Sequence, residues 1–220
     1  MRLCAYCGDV ASTDDHVVPS ALYPPSKANS RVQRITVPAC EACNRSWSDD
    51  EVHFRNVLLI AGESNAPVRE LWEGKARRSF RYADGRRRLR DLATQMVAVQ
   101  AVDGERHMVF PGRDERVTRI ARKVIRGLCH HHRLLTAVSD NQVWVDVQRF
   151  EVPPAFLEDM APRHVEEDVF RYRFAVADEE GIHSCWLLNF YERRPFFGIV
   201  YHSPHAREQA EASMRAEAAG

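Results

Sequence analysis

Two Cys-x-x-Cys pairs, Cys4/Cys7 and Cys40/Cys43, bracket the segment Asp15-His16-Val17-Val18-Pro19, and Asn44 follows the last cysteine directly. Four thiolates at this spacing suit a tetrahedral zinc ion, which would fasten two remote chain segments together. What the zinc would fasten is a carboxylate, an imidazole and an amide. Phosphodiester hydrolysis uses such groups. An imidazole can take a proton from water near neutral pH. A divalent cation held by hard oxygen ligands can neutralise the charge that develops on phosphate and leaving oxygen. Adjacent residues of an extended segment point to opposite sides. One of Asp15 and His16 can therefore hold metal while the other faces the attacking water, with Asn44 supplying an amide oxygen.

The elements that would position these groups can be read from local pattern. Pro19 and the Pro24–Pro25 pair rule out a long helix after the Asp-His pair, and residues 20–34 read as an exposed loop. Residues 34–38 are β-branched and extended in expectation. A helix should start near Cys43 or Asn44, run to about Ile60 and stop at Gly62. Trp47, Val52, Phe54, Val57, Leu58 and Leu59 form its apolar side, and residues 48–51 offer a second possible start.

Together these residues resemble the HNH endonuclease family in its zinc-stapled form, whose pattern is CxxC, then DH[IV]xP, then CxxCN. Here the pattern reads Cys4-Ala-Tyr-Cys7, Asp15-His16-Val17-Val18-Pro19 and Cys40-Glu-Ala-Cys43-Asn44, within roughly the first quarter of the chain. The resemblance implies a ββα-metal module over residues 1–62, with structural zinc on Cys4, Cys7, Cys40 and Cys43. It also implies His16 as general base, and Asp15 and Asn44 as ligands of one catalytic Mg²⁺ or Mn²⁺. Two departures stand out. Ile35 occupies the place of a middle Asn that orients the base in many members, leaving a backbone carbonyl or Asn29 for that task. Arg45 is the nearest cation where a Lys often follows CxxCN. His53 is a rival metal ligand, but nine residues beyond Asn44 is about 900° of helix, half a turn out of phase, and it otherwise reads as a partly exposed helix histidine.

Residues 63–220 read as an α+β accessory region, giving an α+β fold overall. A short helix is expected near Val68–Trp72, and a hairpin turn at Asp84–Gly85. Residues 91–102 are open to helix or strand. Residues 114–135 have a strong helical period, with Val117, Ile120, Ala121, Val124, Ile125 and Leu128 on one side. Arg119, Arg122, Lys123 and Arg126 fall opposite, as a basic stripe. Residues 143–150, 169–177, 184–191 and 196–202 alternate as strands of an antiparallel meander, and the tail from His205 is Ala/Glu-rich and helical in expectation.

The formal charge of zero hides segregation. Residues 75–90 hold eight Lys/Arg against one Asp, and residues 113–133 hold seven against two acids. Residues 151–182 hold nine acids against three arginines. Such segregation can present a positive surface to a polyanion. The residues expected to hold phosphates are Arg45, Arg77, Arg78, Arg86, Arg87, Arg88, Arg119, Arg122, Lys123 and Arg126.

His130-His131-His132 cannot converge on one ion, because consecutive helical residues point about 100° apart. Structural or nucleic-acid-facing roles are expected, with His130 on the arginine side. Cys129 and Cys185 read as core residues, and residues 49–51 as first-turn acids of a helix. No apolar run long enough to cross a membrane is present, and no secretory signal is visible, so a cytoplasmic location is expected. The reading is a metal-dependent DNA endonuclease. The alternatives are a zinc-stapled nucleic-acid-binding module without catalysis, or an RNA-directed nuclease.

Overall fold

The computed structural model describes residues 1–60, 65–100, 104, 106–110, 114–179 and 181–217. The chain is a mixed α+β fold with helices and antiparallel sheets. Near its N-terminus, β1 (Thr13–His16) pairs antiparallel with β2 (Thr36–Ala39), Asp15 opposite Val37 and His16 opposite Thr36. Helix α1 (Glu41–Ser46) follows, with the Cys40 sulfur accepting from the Cys43 N–H at its start. Trp47 breaks it from α2 (Ser48–Ile60), so the second start offered by residues 48–51 is used. The stop expected at Gly62 lies outside the described residues.

Helices α3 (Ala66–Leu71) and α4 (Arg77–Ser79) flank a wide turn, and α5 (Ala83–Gln95) leads into the hairpin β3 (Val97–Gln100) and β4 (Arg106–Val109). The Asp84–Gly85 hairpin turn is not found. Both residues lie in the first turn of α5, where Asp84 suits the positive end of the helix. Gly85 is required there by contact rather than by turn geometry: a Cβ would sit 1.9 Å from the Ser79 carbonyl oxygen.

Helix α6 (Glu115–His131) is the central element. Asp114 caps it by accepting from the Arg116 and Val117 N–H groups. After β5 (Val143–Val147) and α7 (Pro154–Glu158) come β6 (Arg163–Val165), β7 (Phe170–Glu179), β8 (Ile182–Phe190) and β9 (Arg194–Tyr201), then α8 (Pro204–Glu217). The strands form one antiparallel sheet in the order β5-β9-β8-β7-β6. Of the expected four-strand meander, β7-β8-β9 is present; β5 pairs instead with the last strand, β9, and the short β6 extends the other edge. Burial alternates along β8 and β9, so one face of the sheet feeds the core.

Helix α6 is clamped from two sides. A Cβ on Gly127 would lie 2.8 Å from the Val17 side chain, just after β1. One on Gly198 of β9 would lie 2.3 Å from Ile125. Buried apolar packing is continuous from Cys4 to Val200. Trp47 and Phe54 join the first segment to the rest, Trp47 edge-on to Tyr6 and Phe54 against Phe190. Among the described residues, no helix is long and apolar enough to cross a membrane.

Candidate metal centre and its surroundings

The Sγ atoms of Cys4, Cys7, Cys40 and Cys43 lie within 4.8 Å of one another. A zinc ion with Zn–S bonds of about 2.3 Å would set sulfurs about 3.8 Å apart, and the Cys7–Cys40 pair stands at 3.7 Å. Local structure builds this cluster. The first knuckle closes by the Gly8 N–H donating to the Cys4 carbonyl, with Gly8 at φ +83°. It is tied to β2 by the Ala5 N–H donating to the Pro38 carbonyl at 2.8 Å. Burial and the neighbouring thiols push Cys7 up to about 11 and Cys43 higher still. A dication reverses that preference, because it binds thiolate. The four cysteines can hold a metal ion, and their chemistry is compatible with structural zinc. Among the described residues they are the one group of three or more His, Cys, Asp or Glu side chains placed to do so.

The Asp15 carboxylate is 6% exposed and faces α6. It accepts a hydrogen bond from the Tyr6 hydroxyl at 2.6 Å and is ion-paired at 2.9 Å with the ammonium of Lys123. Burial, then the charge of Asp15, raises the Tyr6 hydroxyl well above the usual range, which keeps it a donor. Lys123 is fully buried and also donates to Glu51 at 2.7 Å and to the His16 carbonyl at 2.9 Å. Two carboxylates and a carbonyl thus surround a single tethered cation. Desolvating an ammonium costs several kcal/mol, which only such complete pairing offsets.

His16 projects to the opposite side of β1 and is half-buried. Its Nδ1 is buried with no hydrogen-bond partner among the described residues. The Ile35 carbonyl is taken by the Val17 N–H, so neither it nor Asn29 orients the ring. Asn44 donates from its amide to the Thr13 hydroxyl at 3.1 Å. Thr13 and Asp15 lie two apart on β1 and therefore share a face, but Asn44 and Asp15 share no partner.

His53 is not the partly exposed histidine expected. It is buried, its Nε2 lies 2.8 Å from Asp114 Oδ2, and it ties α2 to the cap of α6. The first-turn acids of α2 also do more than sit at a helix start. Asp50 pairs with Arg116 and Arg119, and Glu51 with Lys123. Burial raises the Asp50 carboxyl, but hydrogen bonds and charge from the two arginines outweigh it and hold it below the usual carboxylate value.

The expected basic stripe on α6 is not a solvated face. Arg122 pairs with Glu115 and Asp140; Arg126 reaches Asp140 and donates to the carbonyls of Val138 and Tyr6. Arg119 pairs with Asp50 and lies over the Trp47 ring. The physical reason is the clamp: a helix covered on both sides along its middle buries most of that stretch, so the cations there must find carboxylates. The segment 77–90 differs, since its arginines are exposed. Arg77, Arg78, Arg86, Arg87 and Arg88 are exposed, Arg78 and Arg86 donate only to backbone carbonyls, and none has a carboxylate partner among the described residues. Arg45 is exposed and paired with Glu41.

No family, curated protein or solved structure matches this chain. The contacts missed by sequence reasoning are those of Tyr6 and Lys123 with Asp15, and of Glu51 with Lys123. One signal could have found them: positions 119, 122, 123 and 126 have the i, i+3, i+4, i+7 spacing of a buried helix face.

Proposed function

We propose that this protein binds nucleic acid, DNA in the first instance, through an HNH-type ββα frame stapled by zinc, without metal-dependent catalysis. The observation that carries the reading is the fully buried ammonium of Lys123 against Asp15. An HNH-type site needs that carboxylate to hold Mg²⁺ or Mn²⁺ with further positions open to water and phosphate. Here the carboxylate is nearly inaccessible and already holds an ammonium and a hydroxyl. The residues do not fit a divalent ion, so no hydrolytic step is derived through one. The unpaired arginines of segment 77–90 support the binding half of the reading, since exposed guanidinium groups contact phosphates without sequence preference.

The second reading is the DNA-directed HNH endonuclease, favoured by Asn44 lying against the face of β1 that carries Asp15. It gives His16 the role of general base and Asp15 and Asn44 that of ligands for one Mg²⁺ or Mn²⁺, and it requires Lys123 to leave Asp15. Supercoiled plasmid separates the two. Incubated with the zinc-loaded protein and Mg²⁺ or Mn²⁺, it should be shifted in a gel, with affinity falling steeply as salt rises, and remain uncut. Divalent-dependent nicking that disappears in His16→Ala overturns the first reading in favour of the second. Failure to bind DNA or RNA at low salt rejects both.

A further inference from the structure

A concave track runs beside β2, past the C-terminal end of α6, to the edge strand β6. Two sections of it, of about 560 and 540 Å³, share Thr36 and His131 in their walls and so form one groove. Its walls carry Arg34, Arg133 and Arg163 together with His131, His132 and His164, and, among the described residues, no carboxylate. The nearby Lys27 is paired, taking Glu166 and Asp168. The groove arginines are not. Arg34 stacks 4.0 Å over the Tyr23 ring and donates to the Lys27 carbonyl; Arg163 lies 5.6 Å over Phe174. Among the described residues none of the three has a carboxylate partner.

A metal ion is not the occupant, since these histidines do not converge. A carboxylate-free wall with three guanidinium groups, two of them held over aromatic rings, selects an anion, and its length over two sections suits a repeating one. Sections of this size are on the scale of small-molecule pockets, roughly 300–1,000 Å³, and can take nucleotides of a single strand. The exposed imidazoles of His131 and His164 add ring faces of the kind bases stack on. Thr36 sits directly opposite His16 across the hairpin, so both side chains share one face and the groove passes beside His16.

We propose that this groove holds the phosphodiester backbone of a single nucleic-acid strand. The assignment rests on the nucleic-acid reading above but needs neither catalysis nor a divalent ion. It is tested by fluorescence anisotropy with a labelled 12-nucleotide single-stranded DNA, without added divalent ions, on the zinc-loaded full chain. Arg163→Glu and His131→Glu, both at exposed positions, should each weaken binding tenfold or more with zinc content and melting temperature unchanged. Wild-type affinity in both variants, with loss in Arg87→Glu/Arg88→Glu, overturns the groove and leaves the nucleic-acid reading standing. Equal competition by inorganic phosphate and by unlabelled oligonucleotide at matched phosphate concentration also overturns it, in favour of a simple ion site. No binding of the oligonucleotide by the wild type removes the groove assignment, while duplex binding still judges the broader reading.

Discussion

Arg119, Arg122, Lys123 and Arg126 lie on a helix covered by the four-cysteine segment on one side and the five-stranded sheet on the other. Arg77, Arg78, Arg86, Arg87 and Arg88 lie on α4 and α5, where Gly85 and Leu92 are the buried residues of α5. The first group is matched by Asp15, Asp50, Glu51, Glu115 and Asp140. The second group meets no carboxylate among the described residues. Both groups are arginine-rich and closely spaced in sequence, so spacing did not decide their fates. What decided them was whether remote acids are folded into reach. A buried cation without a partner is not tolerated, whereas an exposed one needs none.

The contrast can be broken most severely by removing the metal. Chelation, or Cys40→Ser, should unfold the first segment and strip α6 of its Asp15 partner. Structural zinc contributes folding free energy on the order of 10 kcal/mol. Near-ultraviolet circular dichroism followed against zinc content checks this. Lys123→Ala comes next. It leaves Asp15 with only the Tyr6 hydroxyl and should destabilise by about 3–5 kcal/mol in urea unfolding. The double variant Lys123→Met/Asp15→Asn, which removes both charges, should regain much of that loss.

Acid sharpens the contrast more gently. The Asp50 carboxyl is held below its unfolded value of about 3.9. Its contribution to stability is therefore complete above that value and is lost as pH falls through the lower folded value. Unfolding measured between pH 5 and pH 2.5 should show a limb that shrinks in Asp50→Asn. The smallest effect on stability belongs to the exposed group. Arg87→Glu/Arg88→Glu should shift unfolding by no more than about 0.5 kcal/mol. It should still weaken DNA binding and lower the salt slope by about one per lost phosphate contact.

The sequence made the four-cysteine cluster, α6 and the β7–β9 meander readable, because each rests on local spacing or on a period of 2 or 3.6. It did not make the state of Asp15 readable. The partners of Asp15 come from residue 6 and residue 123, and no local pattern links them. The Asp84–Gly85 dipeptide misled for a related reason: a strong turn signal was overruled by the close approach of Gly85 to Ser79. His53 was misjudged because its partner, Asp114, lies 61 residues away.

The separation of Asp15 from Lys123 also sets an order of events during synthesis. The two residues lie 108 positions apart, which at ribosomal speed is an interval of roughly 5–20 s. The cysteines that shape the hairpin emerge well before α6 does. Throughout that interval Asp15 stands on the nascent hairpin with its carboxylate in water, open to any cation in solution. The ammonium that finally takes it arrives covalently tethered, at a high effective concentration.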